Sequence, residues 1–265
     1  MSSPSSSLRF CANLNFMFTE CGDLLGRYAL AKAAGFTGVE GPFPPDQVSV
    51  EQLVKVRQET GLEQVLMNIA LGQFGCAAIP GQEANFRANL ERTVKYAKAV
   101  NCKKIHIMAG KLACAPSAEH DSTYVQNLKT AASLLEQNDI LGVIEPINKY
   151  ALPGYYLACY EKAINVIQQV NSPNLKLMFD IYHAQHIRGD ISNGIREYGS
   201  FIGHIQLAQV PGRQEPDSEG ELNYAYVLGQ LEANGYGDWV GCEYKPRGKT
   251  EEGLGWLRTF GYWNR

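Results

Sequence analysis

The strongest constraint on the fold is an alternation along the chain. Short apolar runs of β-forming residues are separated by longer stretches whose apolar positions recur with a helical period. The β-type runs fall at 8–16, 38–41, 64–71, 104–110, 142–148, 175–183, 202–209 and 239–246. Helical patterns lie at 23–34, 50–60, 83–100, 124–137, 160–170, 190–198, 221–233 and 250–259. Glycines mark several junctions. In "AAGFTGVE", Gly35 stands where a helix should stop and Gly38 where the next strand begins, and "EANGYGDWVGCE" repeats this with Gly235 and Gly237. Eight strands, each followed by a helix, predict a parallel sheet with helical crossovers. In a chain of 265 residues the leading solution is an α/β fold made of a single (β/α)8 TIM barrel. A doubly wound open sheet is the competing arrangement. The first run, "CANLNFMF", contains no glycine and so lacks the phosphate-binding fingerprint of a dinucleotide fold. No nucleotide cofactor is expected.

No linker or charge block divides the chain after Ser7. The expected organisation is a disordered polar tail over 1–7, "MSSPSSS", and one barrel domain over 8–265. The tail has neither a basic nor an apolar segment of the signal-peptide kind, and no apolar run approaches the roughly 20 residues of a membrane span. Twenty-four basic against 27 acidic residues give a net charge of −3, which argues against a nucleic-acid partner. The seven cysteines are scattered and contain no CxxC, so a zinc knuckle or disulfide framework is not expected and a cytoplasmic, reducing location is. Assembly into an oligomer is left open. Tyr155, Tyr156 and Trp256 are expected to be exposed aromatics that cover the site or form an interface.

In a TIM barrel the active site lies at the C-terminal ends of the strands. Polar residues collect there on seven of the eight expected strands: Glu40, Asn68, His106, Glu145, Asp180 with His183, Gln206, and Glu243. Glu145 in "GVIEPIN", Asp180 in "LKLMFDIYH" and Glu243 in "WVGCEYKP" are each set in apolar surroundings, where an ionised carboxylate needs a partner. One acid near a strand end is commonly a cap or ion-pair member. Three acids converging on one mouth would repel one another, and a divalent cation removes that conflict. With the amide oxygen of Gln206, they form an oxygen-donor set suited to Mg²⁺, Mn²⁺ or Co²⁺ rather than Zn²⁺. His204 shares the strand of Gln206 but lies one layer lower, and reads as a core histidine. His106, His183, Asn68 and Glu40 are placed to meet a substrate. His120 and His186 lie in or near expected loops and carry no signal.

These motifs resemble the hydroxypyruvate isomerase family, within the xylose isomerase-like barrel superfamily that also contains ketose 3-epimerases and endonuclease IV. The matching stretches include "RFCANLNFMFTE", "AKAAGFTGVEGPFPPD", "IHIMAG", "IEPINKYALPGYYL", "MFDIYHAQ", "GHIQLAQVPGRQEPDSEGELNY" and "GCEYKPRGKTEEGLGW", in order from Arg9 to Trp256. The resemblance implies a barrel whose metal ligands are Glu145, Asp180, Gln206 and Glu243, with Glu145 and Glu243 also the acid/base pair. It implies that His183 and Arg213 contact substrate oxygens. The implied reaction interconverts hydroxypyruvate and 2-hydroxy-3-oxopropanoate, a small 2-oxo acid pair, by enediolate proton transfer. Arg213 in "VPGRQEPD" suits a substrate carboxylate, because guanidinium pairs with carboxylate bidentately. The related epimerases carry histidine where this chain has Gln206, which favours the hydroxypyruvate isomerase branch. Isomerisation of a four-carbon 2-oxo acid (a 2-oxo-tetronate) and ketose 3-epimerisation remain alternatives. An endonuclease IV-like repair enzyme would need a histidine-rich zinc cluster, which five histidines supply poorly.

Overall fold

The computed structural model describes residues 8–70 and 74–263. The expected tail at 1–7 and the end of the third β-type run, at Leu71, lie outside the described residues. Eight parallel strands close into one barrel in chain order. They are β1 (Arg9–Asn13), β2 (Gly38–Gly41), β3 (Glu63–Asn68), β4 (Lys104–His106), β5 (Leu141–Ile144), β6 (Leu175–Asp180), β7 (Ile202–Leu207) and β8 (Trp239–Cys242). β8 closes the ring by pairing with β1, where Arg9 to Ala12 run beside Trp239 to Cys242. The helices are α1 (Leu24–Ala33), α2 (Val50–Thr60), α3 (Glu83–Ala99), α4 (Ala118–Glu136), α5 (Tyr160–Val170), α6 (Ile181–Ile187), α7 (Ile191–Tyr198), α8 (Tyr224–Ala233) and α9 (Gly255–Thr259).

Local chemistry sets these boundaries. Asp23 caps α1 by accepting from the Gly26 N–H, and Gly35 follows the helix at φ +102°, a conformation that side chains resist. Ser49 and Gln52 form a reciprocal capping box at the start of α2. Asn223 caps α8 through the Tyr226 N–H.

The expected strands 38–41 and helices 50–60 and 160–170 are reproduced residue for residue. Most other runs are cut short, because strand pairing stops before the apolar run does. The run 175–183 needs correction: β6 ends at Asp180, and Ile181–Ile187 is helical. The Asp180 carboxylate turns the chain there by accepting from the Tyr182 N–H at 2.8 Å. α4 starts at Ala118, six residues before the expected position. His120 and His186 therefore lie on helices. Tyr155, Tyr156 and Trp256 are buried in the core, against the expectation of exposure.

Two apolar regions result. The larger fills the space between strands and helices. A smaller one, which includes Cys11, Val143 and Met178, packs with the inward side chains of the barrel. Two residues further along each of those strands, the inward position becomes polar: Asn13, Glu145 and Asp180. Likewise Lys104 is followed by His106, His204 by Gln206, and Gly241 by Glu243. The two-residue period of the strand thus places a polar layer on top of one that mixes apolar and small residues with Lys104 and His204.

Candidate active site

The upper layer opens into a cavity of about 970 Å³ at the C-terminal ends of the strands. Its lining includes Asn68, His106, Glu145, His183, Arg213 and Glu243. Asp180 and Gln206 lie beside one another in the β6–β7 register and are buried at the base. Glu145 directly follows β5 and precedes Pro146, which holds it in extended backbone. Glu243 directly follows β8.

Glu145, Asp180, His183 and Glu243 each bring one ligand-type atom within 4.8 Å of the others. The electrostatics are those of crowded acids. Burial pushes the Glu145 carboxyl well above its usual range, and the charges of Glu243 and Asp180 push it further. Burial also raises Asp180, against the pull of Arg213. Burial raises Glu243 to about 8 although Arg213 opposes the change. Arg213 Nη2 reaches Glu243 Oε2 at 2.5 Å and Asp180 Oδ2 at 3.4 Å. Its guanidinium is held between the rings of Phe16 and Tyr182, with centroids 4.6 and 4.7 Å away. The Arg213 backbone sits at φ +53°, pinned by hydrogen bonds from its N–H to Gln209 O and from Lys245 N–H to its carbonyl.

His183 has a defined tautomer. The Asn148 backbone N–H donates to His183 Nδ1 at 3.2 Å, and the Asn148 side-chain amide lies 2.7 Å from the same nitrogen. Nδ1 therefore accepts, and Nε2 carries the proton. Nε2 faces Asp180 Oδ2 at 3.5 Å and Glu145 Oε1 at 3.7 Å. Burial and the Arg213 charge keep the ring neutral, well below its usual pKa. A ring nitrogen that carries a proton donates a hydrogen bond and does not ligate a metal. His106 is also neutral, pushed down to about 3 by burial, with Nε2 3.6 Å from Glu145 Oε2.

The donor set fits a hard divalent cation. Glu145 Oε1 and Gln206 Oε1 are buried and have no hydrogen-bond partner among the described residues, a costly condition that a cation would relieve. Glu145, Asp180, Gln206 and Glu243 could hold it, with His183 as a neighbouring donor. Glu40 requires correction as a substrate contact. It is fully buried, and its carboxylate is occupied by Asn13, Gln206 and His204 inside the barrel. Reading the sequence missed Asn13, which completes the polar ring on β1 and donates to both Glu40 and Glu243. Its signal was present: an amide inside the apolar run "FCANL". Asn148, Phe16 and Tyr182 were missed because their roles depend on two loops and α6 coming together at the barrel mouth.

This barrel, with a crowded carboxylate site at its mouth, matches the model of the xylose isomerase-like TIM barrel family over residues 28–260. The chain is 42% identical to hydroxypyruvate isomerase of Escherichia coli, covering 96% of this chain and 99% of that protein. It is 41% identical to 2-oxo-tetronate isomerase of Cupriavidus necator, over 95% and 98% of the two chains. A crystal structure from Brucella melitensis, described as an AP endonuclease of family 2, superposes with a TM-score of 0.91 at 40% identity, covering 95% and 98%. The chain belongs to the xylose isomerase-like TIM barrel family and, within it, to the hydroxypyruvate isomerase family.

Proposed function

We propose that this protein is a metal-dependent isomerase of a short 2-oxo acid, interconverting hydroxypyruvate and 2-hydroxy-3-oxopropanoate. The observation that carries this reading is the pair Glu145, buried, and Glu243, half-buried, two carboxyls of raised pKa gathered at one cavity floor. In the reaction a proton leaves C3 and a proton is returned at C2, while the hydroxyl proton passes from the oxygen on C3 to that on C2. One glutamate acts as base at C3 and the other as acid at C2, with carboxyl pKa values moved toward neutrality as such work requires. When bound, a divalent cation supplies positive charge for the negative charge that builds on the two adjacent substrate oxygens. His183 Nε2–H and neutral His106 are placed to hydrogen-bond those oxygens. Arg213, fixed between Phe16 and Tyr182, is the cation that meets the substrate carboxylate.

Among the described residues, no helix is long and apolar enough to cross a membrane. All seven cysteines are unpaired thiols, which supports a cytoplasmic location. A carboxylate-lined floor and a net charge of −3 support a small-molecule substrate and no nucleic acid, despite the description of the Brucella structure.

A second reading keeps the chemistry and lengthens the substrate. The cavity of about 970 Å³ exceeds what a three-carbon acid fills, and a 2-oxo-tetronate isomerase is among the relatives. The test is kcat/KM of the metal-loaded protein on hydroxypyruvate, a four-carbon 2-oxo acid and an uncharged ketose. The three-carbon acid should be preferred, and Glu145→Gln should lower kcat on it by about 10²- to 10⁴-fold. Preference for the uncharged ketose would remove the role given to Arg213 and favour a 3-epimerase.

A further inference from the structure

Glu40 raises a question the reaction leaves unanswered: why a fully buried glutamate stands inside the barrel away from the cavity wall. Its carboxylate is saturated. Oε1 accepts from Asn13 Nδ2 at 2.9 Å and from Gln206 Nε2 at 2.7 Å. Oε2 faces His204 Nε2 at 2.5 Å and accepts from the Cys11 thiol at 3.5 Å. Lys104 Nζ lies 3.4 Å from His204 Nδ1 and has only protons to offer, so Nδ1 accepts and Nε2–H points at Glu40. Lys104 is in turn paired with Asp238 at 2.6 Å. Burial would raise the Glu40 pKa, but His204 and the amide donors outweigh it and hold the group below the usual carboxylate range. Space is reserved as well: a Cβ on Gly241 would collide with this carboxylate.

The consequence lies in the amides. A glutamine side chain has an oxygen end and a nitrogen end of nearly equal shape, and a rotation exchanges them. Only the oxygen end can bind a cation. Gln206 Oε1 is buried and, among the described residues, has no hydrogen-bond partner of its own to hold it. Asn13 is fixed at its other end, where Oδ1 accepts from the Asn15 N–H at 3.0 Å, so its Nδ2 is left to span Glu40 and Glu243 Oε1, the latter at 3.2 Å.

We propose that Glu40 is a positioning residue that makes Gln206 an oxygen donor to a cation. As an acceptor it demands Nε2 and turns Oε1 toward the site. The inference rests on the metal-site reading above. The test is Mn²⁺ titration by calorimetry, with electron paramagnetic resonance of the bound ion. Wild-type protein that binds no Mn²⁺ overturns the metal-site reading itself. If wild type binds, Glu40→Gln, whose amide can both donate and accept, should weaken binding by about 10- to 100-fold, the usual effect of losing a partner of a metal ligand. In a Gln206→Ala background the same substitution should add less than about twofold, because the orientation it enforced no longer matters. Binding by Glu40→Gln within about twofold of wild type overturns the proposal. So do losses that multiply across the two substitutions, as a merely structural role would give. Should Glu40→Gln not fold, Glu40→Asp withdraws the carboxylate while keeping its charge, and the same two comparisons decide.

Discussion

At the residue scale, similar carboxylates receive different roles from their surroundings. Glu40, with four donors on its two oxygens, is held below the usual carboxylate range, whereas Glu145, with an orphaned Oε1, is pushed well above it. That contrast has a pH signature. Glu243 is raised to about 8 in the folded metal-free protein, above its value in an unfolded chain. Its contribution to stability is therefore full at low pH and is lost as pH rises through about 8. His106 has the opposite sign: lowered from 6.5 to about 3, it contributes above 6.5 and loses that contribution as pH falls toward 3. Between about pH 6.5 and 8 His106 adds no slope, and the raised carboxyls Glu243 and Glu145 act with one sign. The Tm of metal-free protein should fall across that window in thermal scans, and Glu243→Gln or added Mn²⁺ should flatten the fall. Equal slopes with and without these changes would refute the assignment. The trio Glu145, Asp180 and Glu243 was legible in the sequence because each acid interrupts an apolar run. Glu40 interrupts one too, and was misread as a substrate contact. Sequence shows which face of a strand a side chain takes, but not how deep it sits or what surrounds it.

At the element scale, the two-residue period of the strands builds the site. On six strands an inward position is followed, two residues later, by a polar one at the mouth, so closing the barrel gathers the polar layer into one ring. Helix spans were legible where caps are strong, as at Ser49 and Gln52. The β6–α6 junction was not, because "LKLMFDIYH" has no glycine or proline to mark a break, and the Asp180 side chain, by capping, ends the strand. Gly241 tests the element-level packing. An added methyl must displace the Glu40 carboxylate, which its neighbours hold on every side. Gly241→Ala should lower stability by about 1–3 kcal/mol, the usual cost of overpacking, as read by denaturant unfolding. It should also weaken Mn²⁺ binding. An alanine variant with both properties unchanged would mean that the strand and the carboxylate part freely.

At the scale of the whole molecule, the closed barrel explains why the site tolerates so much buried charge. Three acids, a guanidinium and two neutral imidazoles converge from β4, β6, α6, the ends of β5 and β8, and the loop after β7. A second file of polar groups runs from Asp238 through Lys104 and His204 to Glu40 below them. The barrel was readable from the alternation of runs, and the convergence of three acids on its mouth from the apolar runs they interrupt. The residues that clamp Arg213 and His183 were not readable, because Phe16, Tyr182 and Asn148 acquire their meaning only when the chain closes. The central claim is that this assembly isomerises a short 2-oxo acid by proton transfer between two glutamates. The most direct measurement follows hydroxypyruvate by proton NMR with Mn²⁺-loaded protein. Signals of 2-hydroxy-3-oxopropanoate should grow with wild type and appear about 10²- to 10⁴-fold more slowly with Glu243→Gln. An unchanged spectrum from metal-loaded wild type, or equal conversion by Glu243→Gln, would contradict the account.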